Sequence, residues 1–541
     1  MADDTTTTGP YVLAIDLGTG GPKVAIVSMR GEVVAHEVET NEIIVLPGGG
    51  VEQDPDEWWR TIVAASRRMI DRRVVDPTDI VAICIGAQWM ATVPVDRHGN
   101  HLDNAISWMD SRGAPYVKDV VGGGIEVPGV GYNAKKAMTW IRRSGGIPSL
   151  SGKDNVGHIL YLKHNKPELY RDAHAFLEPM DYLNCRLTGK QVASYDTIVG
   201  HWVTDNRDLA AVQYDPELIE LAQIDGTKLP DLVPTGSVIG PLTPGAADAL
   251  GLSTDVQVVA GMGDTSAAGI GSGAVRDLDA HLYIGTSSWL SCHVDFLKTD
   301  LGTNCTALPS GIPRRYWVAT EQDVAGKALL WLIDNVLYPD DALGSGPPPD
   351  DVFDRLNAMA ESVPAGADGT MFLPWLNGER TPVDNHLIRG SWFNLNLETS
   401  RSTMVRAVFE GVALNTRWML GAAEKFVRKQ RPKGFEHINF IGGGAQSDLW
   451  CQILADVLDR PIRQMAEPRY ANARGAAFAA GVALGHLRWD DIPALVQVER
   501  TFTPDRANRA VYDGHFAAFT KLYKQTKGVY AKLNAGLYGH A

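Results

Sequence analysis

The apolar positions fall into two runs of the same kind, each opening one half of the chain. The first starts Tyr11-Val12-Leu13-Ala14-Ile15, breaks at Gly18-Thr19-Gly20-Gly21, resumes over residues 23–29, turns at Arg30-Gly31 and continues over 33–39. This pattern predicts a three-stranded antiparallel meander whose first turn presents Thr19 and Gly20. Val51-Glu52-Gln53-Asp54-Pro55-Asp56-Glu57-Trp58-Trp59 then predicts a helix to Met69, with Asp54 as N-cap, Pro55 at the first helical position and Glu57 closing a capping box. Residues 80–85 form a short apolar strand that delivers Gln88-Trp89-Met90, and 93–95 continue as another. Residues 113–157 are rich in Gly, Pro and Ser and carry little periodicity apart from a helix over 134–143. Further helical patterns cover 159–165 and 179–187.

A second buried strand, Val256-Gln257-Val258-Val259-Ala260, ends in Gly261-Met262-Gly263-Asp264. The second run opens at about His281 and repeats the first: strand, Gly285-Thr286-Ser287-Ser288 turn, strand, then helices over 403–420 and 447–458. In the latter, Leu449, Trp450, Ile453, Leu454, Val457 and Leu458 share one face, and Ser447 can cap it. An aromatic-rich helix over 508–533 closes the chain. The order reads as two related α/β halves, 11–275 and 276–541.

Composition narrows the partners. The 541 residues are 45% hydrophobic, enough for large cores, and carry a formal charge of −14, which argues against a nucleic-acid surface or a polybasic membrane patch. No apolar run approaches the roughly 20 residues that span a bilayer. The N-terminal Met-Ala-Asp-Asp and its four threonines lack the basic and apolar regions of a leader peptide. Five scattered cysteines suit a reducing compartment. The expectation is a cytoplasmic protein with small-molecule partners; whether it forms a homodimer stays open.

Glycine turns that carry Thr or Ser offer bare N–H groups and a hydroxyl, which a phosphate chain requires, although either turn alone also reads as a plain hairpin. Lys23 is within reach of such a phosphate or is an ordinary strand lysine. Walker A is absent, because no Gly-Lys pair has the required glycine five residues earlier. Gly269-Ile270-Gly271-Ser272-Gly273-Ala274 satisfies a loose dinucleotide pattern but precedes a strand with no surrounding βαβ unit. Gly442-Gly443-Gly444-Ala445 lies between a strand and the Ser447 helix and lets a base or ribose rest on bare backbone; Asn472-Ala473-Arg474-Gly475-Ala476-Ala477 suits close helix packing or the other side of that pocket. Asp16 at the first turn makes sense beside phosphate mainly with Mg²⁺. Asp264 is then free to take a proton from an attacking hydroxyl; a hydrolytic ATPase needs only water there.

In this order the residues resemble the FGGY carbohydrate kinases, nearly end to end. The resemblance rests on Asp16-Leu17-Gly18-Thr19, Val51-Glu52-Gln53-Asp54 with Trp58-Trp59, Gly261-Met262-Gly263-Asp264, Gly285-Thr286-Ser287, Gly378-Glu379-Arg380-Thr381-Pro382 with Arg389-Gly390, and Gly442-Gly443-Gly444-Ala445. It implies an α/β fold of two ribonuclease H-like domains of the actin/Hsp70-like superfamily with the active site in the cleft between them. It also implies ATP and Mg²⁺, Asp264 as general base, and Asp16 and Asp264 on the metal side. Nucleotide contacts would come from Gly18, Thr19, Gly20, Lys23, Gly285, Thr286, Ser287, Gly442, Gly443, Gly444, Ala445 and Ser447.

Within the family, Asn104-Ala105-Ile106-Ser107-Trp108-Met109-Asp110-Ser111-Arg112 and Leu373-Pro374-Trp375-Leu376-Asn377-Gly378-Glu379-Arg380 look most like xylulokinases. Gln88, Trp89, Met90, Asp110, Arg112 and Asp264 are the implied sugar contacts. The chain departs where xylulokinases resemble Gln-Met-His-Gly: it has Gln88-Trp89-Met90-Ala91, so a hydrogen-bonding side chain gives way to apolar ones. His158, Tyr161 and Asn394 also depart from the usual residues. The acceptor is expected to be D-xylulose or a related ketopentose. Another ketose or a polyol (a tetrose, ribulose, xylitol, or a glycerol-like molecule) is the alternative, and a non-kinase ATPase of the same superfamily stands behind both.

Overall fold

A computed structural model describes residues 9–126, 131–344 and 346–535; the polar segment read against a leader, residues 1–8, lies outside them. Each run of strands becomes one sheet. The first sheet takes β1 (Tyr11–Gly18), β2 (Gly21–Ser28), β3 (Val33–Val38), β4 (Ile80–Ala87), β5 (Val238–Pro241) and β6 (Gln257–Gly263), in the order β5-β6-β4-β1-β2-β3. The meander is antiparallel, and β4 and β6 run parallel to β1, so the C-terminal ends of β1, β4 and β6 meet at one edge.

The second sheet repeats this plan. It contains β7 (Ala280–Ile284), β8 (Ser288–Val294), β9 (Thr299–Asp300), β10 (Cys305–Pro309), β11 (Tyr316–Ala319), β12 (Ile438–Ile441), β13 (Ile462–Met465) and β14 (Val498–Phe502), in the order β9-β10-β11-β8-β7-β12-β13-β14, with Glu321–Gln322 added on β8. Again the first two strands form a hairpin and the next two, β12 and β13, run parallel to the first. The shared strand order is the structural form of the repeated sequence pattern, and the architecture is the expected two-part α/β fold.

Seven helices build the layers: α1 (Pro55–Asp71), α2 (Pro179–Thr188), α3 (Asp264–Gly271), α4 (Arg401–Phe426), α5 (Asp448–Leu458), α6 (Ala471–Ala483) and α7 (Arg509–Asn534). Alternation along β1 assigns its two faces. Leu13, Ile15 and Leu17 pack with Trp58 and Ile62 of α1 and Met180 and Leu183 of α2. Val12 and Ala14, with Ala25, Ala82 and Cys84 beside them, make a face of small residues on which α3 and α6 lie. The small side chains let those helices come close. Thus α6, late in the chain, covers the first sheet, and residues of both sheets enter one cluster. In the second half α4 is buried along most of its length and packs on α5, with α7 outside it.

Among the described residues no helix is long and apolar enough to cross a membrane. Residues 114–121 and 134–143 of the weakly patterned region are helical. One local expectation is corrected. Asp54 caps α1 by accepting from the Asp56 N–H, but Glu57 closes no capping box, because its carboxylate instead accepts the Glu42 N–H at 2.9 Å. A tertiary donor outcompetes the local one.

Candidate functional site

Strand β6 stops at Gly263 and α3 starts at once with Asp264, so the carboxylate stands at a helix N-terminus at the edge where β1, β4 and β6 end. Glycine is required upstream: a Cβ on Gly261 would sit 2.5 Å from the Ile85 carbonyl oxygen. Asp264 Oδ1 accepts the Thr265 N–H at 2.8 Å. Burial, then the negative charges of Glu321 and Asp16, push the Asp264 carboxyl up to about 7. That value suits a group that must be ionised at neutral pH yet still accept a proton.

Asp16, near the end of β1, lies opposite Lys23 in the hairpin register, and the Lys23 Nζ donates to its Oδ2 at 2.8 Å. Asn472 of α6 donates to the other oxygen at 3.2 Å. The pairing holds Lys23 firmly protonated, with Asp16 the main cause. At the adjoining turn Thr19 Oγ1 accepts from Trp108 Nε1 at 2.9 Å, which leaves its own proton to donate. The carbonyl oxygens of Thr19 and Gly20 are taken by Gln53 Nε2 and the Asn41 N–H, so the turn is braced from behind. Gln88 is part of that brace: it is buried and donates to Gln53 Oε1 at 2.7 Å.

On the second sheet Gly285-Thr286-Ser287 follows β7, and the Thr286 side chain is exposed. The Gly285 and Thr286 carbonyls accept N–H groups of residues 325–327. The triple glycine lies directly against this turn. A Cβ on Gly442 would meet the Ile284 carbonyl oxygen at 2.5 Å and one on Gly444 the Ile284 side chain at 2.8 Å, whereas Gly443 faces open space. Ala445 is buried, and its carbonyl accepts from Gln464. Ser447 caps α5 through the Trp450 N–H and donates to Asn357 at 2.7 Å, so its hydroxyl is committed to structure. Gly475 in the Asn472–Ala477 segment faces Ala267 and Gly271 of α3, so the small residues serve helix packing there.

The sugar candidates divide. Trp89 and Asp264 line one small recess with Trp317, Asp196 and Ser266. Trp89 donates its Nε1 to the Thr197 carbonyl at 3.1 Å and meets Trp317 edge-on at 5.9 Å, so it offers the recess an aromatic face without a donor. Met90 follows in a left-handed conformation at φ 61°. Asp110 and Arg112 instead close a buried ion network. Arg112 pairs with Asp110 and Glu52 at 2.6 Å each and donates to the Tyr161 hydroxyl at 3.0 Å.

Sequence reasoning left several groups outside the site. Arg380 pairs with Asp323 at 2.6 Å and with Glu321, and its guanidinium lies 5.5 Å from the Trp108 ring centre, joining the second half to the first beside Thr19. Trp317 and Asp196 are the others; neither sits in a glycine-marked segment, so no local signal marks them. The charges of Asp16 and Glu321 act on Asp264, and carboxylate oxygens are the donor type a hard divalent cation takes, although among the described residues these three do not converge into a ready-made ligand cluster. A wider depression of about 560 Å³, bordered by Arg417, Trp418 and Phe516, lies apart from all of these residues.

Residues 11–271 match the model of the FGGY family of carbohydrate kinases, N-terminal domain, and residues 281–484 match that of its C-terminal domain. A xylulose kinase of Staphylococcus epidermidis is 28% identical over 534 residues, covering 96% of this chain and 98% of its own. An autoinducer-2 kinase of an Enterobacter species is 27% identical, with 96% and 95% covered. The crystal structure of xylulose kinase from Rhodospirillum rubrum superposes with a TM-score of 0.79 at 27% identity, over 96% of this chain and 99% of that one.

Proposed function

The chain belongs to the FGGY family of carbohydrate kinases and is an ATP-dependent sugar phosphotransferase, and from that premise we propose that its acceptor is D-xylulose or a related ketopentose. Residues 11–275 would hold the sugar and 276–541 the nucleotide, with the cytoplasm as the setting. The five cysteines, all free and buried, accord with a reducing compartment.

The observation that carries the reading is Asp264 at the head of α3, where burial and then the nearby charges of Glu321 and Asp16 raise its carboxyl to about 7. In its ionised form it accepts the proton of the attacking sugar hydroxyl as that oxygen bonds to the γ-phosphorus and the bond to the departing ADP oxygen breaks. Gly18, Thr19, Gly20 and Lys23 from one turn, and Gly285, Thr286 and Ser287 from the other, supply N–H groups, hydroxyls and a cation for the phosphates. Gly442, Gly443 and Gly444 offer the backbone surface for adenosine. Mg²⁺, held by Asp16 and Asp264, would neutralise phosphate charge. Cleft closure through Arg380 and Trp108 would exclude water.

The identity of the sugar rests on relatives named xylulose kinases. A specific observation favours a second acceptor: the wall beside Asp264 is Trp89 and Trp317, and the one polar group of Trp89 is already bound to Thr197. Such a wall suits a ketose or polyol that presents C–H faces there, and a relative named autoinducer-2 kinase stands alongside the xylulose kinases. The test is ADP release from Mg-ATP with a panel of ketoses, aldoses and polyols, with Asp264→Asn run in parallel. One acceptor that stimulates the wild type and not the variant supports the reading. Stimulation that survives Asp264→Asn overturns the role of that residue.

A further inference from the structure

The short turn Ser194–Thr197 touches both walls of the recess. It follows a three-residue strand, Val192–Ser194, and carries Asp196, a carboxylate only 3% exposed. The Gly263 N–H donates to Asp196 Oδ2 at 2.8 Å, and the Ser266 hydroxyl donates to Oδ1 at 2.9 Å. These two donors flank Asp264 on either side in sequence. One residue on, the Thr197 carbonyl accepts Trp89 Nε1, and the Thr197 hydroxyl donates to Asp181 at 3.1 Å. Two residues before, the Ser194 side chain donates to the Gly261 carbonyl at 3.3 Å. Ser266 in turn accepts the Gly311 N–H at 3.1 Å, which ties the arrangement to the loop between β10 and β11.

We propose that Asp196 is a positioning residue that fixes the base-bearing turn at Asp264 and the sugar-facing Trp89 as one rigid unit. The inference rests on Asp264 being the base. A buried carboxylate is costly to desolvate, and here each of its oxygens is met by a donor of the β6–α3 junction. Gly263, the N-cap of α3, has no side chain with which to cap the helix, so the acceptor that meets this terminus comes from Asp196. Without it the Gly263 N–H and the Ser266 hydroxyl lose their acceptor, and Asp264 gains freedom relative to Trp89. None of these bonds involves residues 18–23, 285–287 or 442–447, so the main effect of losing them falls on the alignment of the hydroxyl with its base rather than on nucleotide affinity. Tolerances in such alignment are narrow: a misplacement of about 1 Å costs on the order of 100-fold in rate.

The experiment uses the full chain and the acceptor found in the panel above. Asp196→Asn, Ser266→Ala, Asp264→Asn and the double variant Asp196→Asn/Asp264→Asn are compared by kcat, by KM for ATP and by thermal melting. The expected result for Asp196→Asn is a fall in kcat of about 10- to 100-fold with KM for ATP within about twofold, and a smaller fall for Ser266→Ala. Because Asp196 acts through Asp264, the double variant should be no slower than Asp264→Asn. A kcat within about twofold of wild type in Asp196→Asn, or a further loss in the double variant equal to that in the single one, overturns the proposal. Should Asp196→Asn fail to fold, Ser266→Ala decides by the same split between kcat and KM. Activity that survives in Asp264→Asn overturns the base itself, whereas an inactive Asp264→Asn beside an unaffected Asp196→Asn overturns only the positioning role.

Discussion

Replacing Gly475 by alanine would place a Cβ 1.9 Å from the carbonyl oxygen of Ala267 and 2.8 Å from its carbonyl carbon. Both atoms are backbone of α3, so no side-chain rotation relieves the contact. Reaching even 3.0 Å requires α6 and α3 to separate by about 1 Å at that point, and Ala267 lies one helical turn from Asp264. Two terms oppose each other in stability. Alanine gains about 1 kcal/mol over glycine inside a helix, and overpacking costs about 1–3 kcal/mol. The net destabilisation is then no more than about 2 kcal/mol. Catalysis has no such compensation, since a displacement of about 1 Å costs on the order of 100-fold in kcat. Gly475→Ala should therefore fold and melt within several degrees of wild type yet lose most of its turnover. Gly528→Ala in α7, where a Cβ meets nothing within 4 Å, is the control and should leave kcat unchanged. Circular-dichroism melts and steady-state ADP release measure both quantities on one preparation. A Gly475→Ala enzyme with kcat within about threefold of wild type would refute the argument that the contact transmits strain to the base.

Turnover should fall as pH drops through about 7, because the base must be ionised; Glu321→Gln removes the largest neighbouring charge and should move the acid limb of the kcat profile to lower pH, whereas an unmoved limb contradicts the assignment. Burial raises the Glu379 carboxyl to about 8 from its ordinary value of 4.5. The folded state therefore binds the extra proton, so the contribution of Glu379 is fully present below about 4.5 and is lost as pH rises through about 8. Glu379→Gln should flatten that slope in urea unfolding, by an amount on the order of 1 kcal/mol or more across the window; equal slopes would contradict the burial argument. Trp317→Ala removes the edge-on contact with Trp89, worth about 0.5–1.5 kcal/mol, and should raise KM for the sugar about 2- to 12-fold with KM for ATP unchanged.

Local pattern carried the architecture as far as local physics reaches. The apolar run of Tyr11 to Ile15, the capping by Asp54 and Ser447, and the helix at Ala134–Arg143 depend on near neighbours, and the structure has each of them. The Asp16–Lys23 pair was also within reach, since it follows from the hairpin register once Gly18 and Gly21 close the turn. What escaped depends on distant partners. Glu57 is drawn to the Glu42 N–H, Arg380 reaches Trp108, and Asp196, which reads locally as an ordinary turn residue, meets Gly263 across 67 positions of chain. Asp110 and Arg112, at the end of the Asn104–Arg112 segment, stand as candidate sugar contacts. In the fold they are engaged with each other, Glu52 and Tyr161.

The small-residue face of the first sheet has a consequence for synthesis. Val12, Ala14, Ala25, Ala82 and Cys84 are covered by α6, which is completed only at Ala483, about 220 residues after β6 ends. At about 5–20 residues per second the ribosome takes roughly 10 to 45 seconds to deliver that cover. Through this interval the nascent sheet, complete in its strands, has only the short α3 over that apolar face. The emerging protein is therefore a natural client for a holding chaperone, and translation speed between the two halves bears directly on how much of it escapes aggregation.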